Sequence, residues 1–420
     1  MATYREVFAV REFRALFAAH LLSQLGDQLS KVAISVLVFE TTDSALFAAV
    51  AFGVSYLPWV VIGPVLTTLA DRFPRRSVMI TCDLARATLI AMLAVPGLPV
   101  GMEVAGLFAA SLFAPPAQAA RSATMPEVLP GDAYVVANGV SAVTGQLAQV
   151  IGFAGGGLLV GVLSPRGALL ADAATFALSA ALLSVFLARR RPTDRSGKTT
   201  LLQDTAGGLR LVMTDRRLRA YVILAWIGAA FTAAPEGLMT AYASHLQGGA
   251  TMTGILLAAM PAGTVCGAIV YGRFTRPARR WRLLPAMALL SCASLLPVLA
   301  DPPLLVSLGF LAAAGYGSAH QVALNARFVR DVPPSHRGRA FGVAVAGMMV
   351  AMGGATAIAG AMADVWRDPP MIIGLCGLAG VVTMLPVLAR WPHEQDLSPT
   401  PARPPSPRAD AARSPRTRAG

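Results

Sequence analysis

The stretch Leu69-Ala70-Asp71-Arg72-Phe73-Pro74-Arg75-Arg76 decides how this chain is read, because it returns in weaker form 201 residues later as Gly272-Arg273-Phe274-Thr275-Arg276. Each copy is a short charged break between long apolar runs. A second echo supports the same offset. The glycines Gly152, Gly155, Gly156, Gly157 and Gly161 are matched by Gly347, Gly353, Gly354 and Gly360. A chain of two copies of a six-span unit is expected.

Working outward from these loops, twelve apolar stretches can be marked, at 14–39, 45–69, 77–97, 102–121, 135–163, 167–188, 219–244, 251–272, 282–300, 303–326, 339–363 and 369–390. A transmembrane helix needs about 20 mainly apolar residues. Barrel strands would alternate over about 10 residues, whereas these runs are continuously apolar. The breaks at 40–44, 98–101, 164–166, 245–250 and 364–368, with Asp301-Pro302, are short and fall on one side. The others are longer and rich in arginine.

Composition agrees. Hydrophobic residues are 55% of the chain and charged ones 14%, against roughly 25% charged in soluble domains. A soluble enzyme, a disordered chain and a simple nucleic-acid-binding domain are excluded. The net charge of +13 has a direction: 31 of the 35 Lys and Arg residues fall on one side, Arg166 and Arg367 on the other, and Lys31 and Arg86 within spans. The positive-inside rule then puts both termini and the central connection in the cytoplasm. The first apolar run continues to Phe39, so it reads as a retained span rather than a cleaved signal. Cys82, Cys266, Cys292 and Cys376 lie in apolar runs with no metal-ligand spacing and read as packing residues. The expected organisation is a six-helix bundle at 1–190, a cytoplasmic linker at 191–218, a second six-helix bundle at 219–390 and a disordered, proline-rich tail at 391–420. Leu201 to Val212 could form a short helix on the inner membrane surface or a solvated linker.

The loop Leu69 to Arg76 resembles the signature loop of the major facilitator superfamily. Three further stretches are similar to its enterobactin-exporter and macrolide-efflux branch: Gly26-Asp27-Gln28-Leu29-Ser30, Ala171-Asp172-Ala173-Ala174-Thr175-Phe176 and Arg337-Gly338-Arg339-Ala340-Phe341-Gly342. The turn Met125 to Pro130, followed by Ala137-Asn138, fits as well. The resemblance implies an all-α polytopic fold of twelve helices in two six-helix bundles, with a cavity between spans one, four, seven and ten. It also implies that Asp71, Arg72, Arg75 and Arg76 close a cytoplasmic gate, Asp71 facing the start of span eleven near Arg339. The chain departs from the pattern at Thr67 and Pro74, where glycine is usual, at Phe153, where proline is common, and at Gly272, where the first loop has its acid.

Asp27 and Lys31 lie four residues apart near the middle of span one, with Gln24 on the same side. Ionisable residues at that depth usually face a cavity or a partner. Asp27 is therefore a candidate for binding a cationic substrate or exchanging protons. The alternative is a self-neutralising pair with Lys31. Asp83 and Arg86 read as a structural pair near the gate. Glu236 after Pro235 is a candidate cavity acid, and His320 a proton relay or a packing residue. Asp172 reads as structural. Gly152, Gly156 and Gly157 allow close helix packing or a seam between halves.

No phosphate-binding loop is visible, so no nucleotide cofactor or catalytic residue is assigned and the energy source is an ion gradient. The expectation is a secondary transporter, working by alternating access as a proton-coupled exporter of a hydrophobic or amphipathic small molecule such as a drug, siderophore or other secondary metabolite. Its partners would be substrate, protons and the lipid bilayer, without nucleic acid, and it would act as a monomer. An uptake symporter, a lysophospholipid flippase and a non-transporting sensor are the alternatives. Thirty-three arginines against two lysines suggest a bacterial source.

Overall fold

A computed structural model describes residues 3–61, 73–190, 201–333 and 336–391. Among these residues the regular structure is helical. In chain order the helices are α1 (Tyr4–Ala9), α2 (Arg11–Thr42), α3 (Ala45–Gly53), α4 (Leu57–Val61), α5 (Arg75–Leu93), α6 (Val100–Ser111), α7 (Ala114–Val128), α8 (Asp132–Phe186), α9 (Leu201–Thr214), α10 (Arg216–His245), α11 (Ala250–Phe274), α12 (Pro277–Ala293), α13 (Leu304–Ser318), α14 (His320–Asp331), α15 (Arg337–Trp366) and α16 (Pro369–Ala389).

Tight reversals set this architecture. The non-glycine residues with positive φ are Asp43, Ser164, Gln247, Asp301 and Arg367. All five sit in or beside the short breaks read from the sequence, at what is called below the short-loop end. Asp43 and Arg367 are left-handed caps that end their helices in one residue. Ser164 breaks α8 into segments 132–163 and 165–186. Gly156 and Asp172, on either side of it, both pack on α2 near Leu29 and Ser30, so the break is a hairpin. The helices that follow are capped locally. Ser44 accepts from the Phe47 amide, and Asp215 and Asp368 accept from amides of α10 and α16.

Among the described residues seven helices are long and apolar enough to cross a membrane, and α8 is one of them although its hairpin makes two segments. The other apolar stretches read from the sequence fall short of that length or apolar character. Helix α2 has 32 residues, but Gln24, Asp27, Gln28 and Lys31 dilute its apolar character. Helix α5 carries Asp83 and Arg86 inside it, and the tenth stretch is divided at Ala319 between α13 and α14. Part of the second stretch lies outside the described residues. These spans are polar because they look inward.

Two local expectations are corrected. Arg121 and Met125-Pro126 do not form a loop and turn, because α7 continues to Val128 with Pro126 inside it. Helix α9 is not a loose linker: it is a helix that packs on α15. Gly208 packs on the Arg339 backbone, where a Cβ would collide. Val212 is fully buried with Leu218, Tyr221, Leu324 and Ala340. The main core joins both halves of the chain, from Leu29, Val32, Phe52 and Phe153 to Leu238, Tyr242, Leu256 and Ile372. Outward-facing Val162, Leu305, Ile358 and Val365 stay exposed, as a lipid-facing surface requires.

Candidate functional site

Two of the quoted stretches meet at one place. Gly26 lets α2 approach the 165–186 segment, since a Cβ there would strike Asp172 and Thr175. Ser30 donates its hydroxyl to Asp172, and Thr175 Oγ1 donates to Asp172 Oδ1 at 3.2 Å. Nearby, Ser179 donates to Asp83 Oδ2 at 2.6 Å, and Ser23 donates to Ser179 at 3.3 Å. Between these contacts, Arg86 reaches from α5 to form an ion pair with Asp27. The Arg86 guanidinium lies 4.0 Å from the centroid of the Phe176 ring. A buried charge without a partner costs several kcal/mol, and an aromatic face adds attraction for a cation.

This arrangement corrects two readings. Asp27 and Lys31 do not neutralise each other by direct contact, because Asp27 takes Arg86. Asp83 and Arg86 are not hydrogen-bonded to each other, since Asp83 takes Ser179. Lys31 instead sits over the rings of Phe52 and Tyr56, 5.5 and 5.3 Å from their centroids. It makes no direct ion pair among the described residues, but it lies in the fields of Asp27 and of Glu236 on α10. Glu236 follows Pro235 within the helix and stands beside the Tyr56 hydroxyl.

At the short-loop end the two halves of the chain are in contact. Ser35 and Thr240 share a hydrogen bond of 2.9 Å. Gly157 and Gly254 meet backbone to backbone, so a Cβ on either would collide. Gly152 and Gly156 pack on Gln28 and Leu29 of α2. Asp364, near the end of α15, closes this face in a way the sequence analysis missed. Its carboxylate accepts from Ser44 Oγ at 2.5 Å and from the Ala45 and Leu46 amides at 2.5 and 3.2 Å. A carboxylate on the first amides of a helix satisfies donors that have no intrahelical partner and faces the positive dipole end.

Toward the opposite, Arg-rich end the helices part around two adjoining cavities of about 500 and 990 Å³. His20, Gln24, Gln118, Arg121 and Ser122 line both. Asp27, Asp83 and Arg86 line the smaller one, and Gly272 and Arg273 of the echoed loop stand at the edge of the larger. Of the substrate and coupling candidates, Gln24 and Asp27 face this space, as do Asp83 and Arg86 of the gate candidates. His320 does not: it is fully buried, its Nδ1 2.8 Å from the Gly317 carbonyl and its ring against Gly228. Arg121 and Gln118 were missed because they fall at the mixed-polarity end of the marked stretch 102–121, whereas the helix runs on to Val128. The polar spacing of Gln118, Arg121 and Ser122 on one helical face was the available signal.

The gate candidates divide. Asp71 and Arg72 lie outside the described residues. Arg75 pairs with Glu127 and donates to the Ala123 carbonyl at 2.8 Å. Arg76 donates to the Leu183 and Ser184 carbonyls. Arg190 joins Glu12 at 2.6 Å and Glu127 at 3.8 Å. These contacts tie helices of the first half to one another, while Arg339 is the backbone seat of Gly208.

Residues 5–412 match the model of a family described as transmembrane secretion effector. This chain belongs to that family of the major facilitator superfamily. It is 28% identical to the multidrug efflux pump Tap of Mycolicibacterium fortuitum, over 78% of this chain and 83% of that one. It is 27% identical to macrolide efflux protein A of Streptococcus pyogenes, over 36% and 38%. A mutant of the nucleoside transporter NupG superposes with a TM-score of 0.72 at 12% identity, over 91% of this chain and all of that one. The all-α polytopic fold of the major facilitator type is the fold found, in a membrane transporter family with bacterial relatives.

Proposed function

We propose that the chain is a proton-coupled exporter of an amphipathic small molecule, working by alternating access with both termini in the cytoplasm. The observation that carries this reading is the asymmetry of the interface: in contact at the short-loop end, parted around two cavities at the Arg-rich end. With the basic excess inside, the open face takes solute from the cytoplasm. The efflux relatives support this direction. Asp27 with Arg86, and Glu236 beside Tyr56 and Lys31, supply carboxylates whose charge is balanced by cations in the pathway. A proton arriving on Glu236 removes the negative field that holds Lys31 near α10, and so loosens a link between α2 and α10. The two six-helix units, 1–190 and 219–390, then rock about the site, and Asp71 with Arg75 and Arg76 guards the inner face.

The test uses everted membrane vesicles and a panel of fluorescent amphiphiles, both anionic and cationic. Respiration should drive uptake of at least one probe, nigericin should abolish it, and Glu236→Gln should lose gradient-driven uptake while retaining probe exchange. Uptake indifferent to the proton gradient, or gradient-driven movement in the reverse direction, would contradict the proposal. The reverse result would favour the symporter reading.

A further inference from the structure

We infer that the larger cavity is built for an amphipathic anion rather than for a lipophilic cation. The inference rests on the reading of this cavity as the transport site. Its two walls differ in kind. One wall is polar: Gln24 and Gln28 of α2, Gln118 and Arg121 of α7, and Asn138, Ser141, Gly145 and Gln149 of α8. The α8 residues recur every three or four positions and so form one helical face. The other wall, from α11 and α14, is mainly apolar over Val265, Ala268, Ile269 and Val322, with Asn325 its polar residue on α14.

The charges decide the sign. Asp27 is engaged by Arg86, and Asp83 by Ser179. Arg121 has no carboxylate partner among the described residues. Its Nε donates to Gln118 Oε1 at 3.3 Å, leaving the terminal nitrogens free to bind an anion in a fork. Arg273 stands at the cavity edge and His20 beside Arg121, and among the described residues no acid lines this cavity. Gln28 and Ser141 belong to the same polar wall. The ligand that fits therefore has an apolar face and an anionic group held by Arg121.

The test is equilibrium binding to the purified full chain in nanodiscs, without a gradient, so that it does not depend on direction or coupling. The probes are fluorescein and rhodamine 123, which share a ring scaffold with opposite charge, and 1-naphthoate with 1-naphthylmethylammonium. The expected result is at least about tenfold tighter binding of each anion than of its cationic partner. Arg121→Gln should weaken the anions by about 10- to 100-fold and leave the cations unchanged, with Arg121→Lys between. No binding by any probe, equal or cation-preferring binding, or an anion preference that survives Arg121→Gln would overturn the inference. A chain that binds anions in this way yet moves none in vesicles would contradict the export proposal while leaving this one intact.

Discussion

Asp364 offers the sharpest quantitative handle on the closed face. Its carboxylate receives three donors from the start of α3, at 2.5, 2.5 and 3.2 Å. All three belong to the opposite half of the chain, so they exist only while the short-loop end is shut. Hydrogen bonds to charged groups contribute about 1.5–3 kcal/mol each when net of solvation, and a carboxylate at a helix N-terminus adds about 0.3–1 kcal/mol. Asp364→Asn keeps an acceptor oxygen but removes the charge, so the bonds weaken without all vanishing. A loss of about 2 kcal/mol is expected. At 1.4 kcal/mol per decade, that shifts the closed-to-open ratio at this end about 30-fold. The assay is a pulsed electron-resonance distance between spin labels at Phe47→Cys and Val365→Cys, both exposed, with exposed Cys266 replaced by serine. The parent should give one short distance, and Asp364→Asn should add a longer population. Asp368→Asn is the control, because among the described residues the Asp368 carboxylate accepts only from the Met371 amide of the helix it caps, and it should change nothing. An unaltered distribution in Asp364→Asn, or an equal response to Asp368→Asn, would refute the reasoning.

Other consequences can be checked by thermal unfolding in detergent and by transport. Asp27→Asn should abolish gradient-driven transport, and because it strands Arg86 it should also lower the melting temperature. The double variant Asp27→Asn, Arg86→Gln should lose less stability than the singles predict together, with a coupling of about 1–3 kcal/mol. Gly26→Ala should destabilise by about 1–3 kcal/mol, since its Cβ would meet Asp172 and Thr175, and a melting temperature within error of the parent would contradict that packing. Gly157→Ala should cost a similar amount by prying α8 from α11, whereas Gly139→Ala, which meets nothing, should be neutral.

Much of the fold was legible because apolar run length and charge asymmetry are properties of single segments. The short breaks marked the reversals later seen at Asp43, Ser164 and Arg367. Partnerships were less legible, because they depend on which helices touch. Asp27 and Lys31 share one face of α2, so sequence spacing favoured their pairing. Only the approach of α5 brings Arg86 to Asp27. Arg121 was hidden by a boundary: Ala114 to Val128 is proline-interrupted and mixed in polarity, so it looked like the end of a span. Asp364 looked like one more loop acid until α3 was seen to start directly beneath it.

The account depends most on the cavity being open to the cytoplasm and shut to the outside. That is tested by reacting Ser122→Cys, in a background with Cys266 replaced by serine, with a membrane-impermeant maleimide. Ser122 is exposed and lines both cavities. Rapid labelling in everted vesicles with protection in intact cells is the predicted result. Labelling in intact cells with protection in everted vesicles would contradict the account.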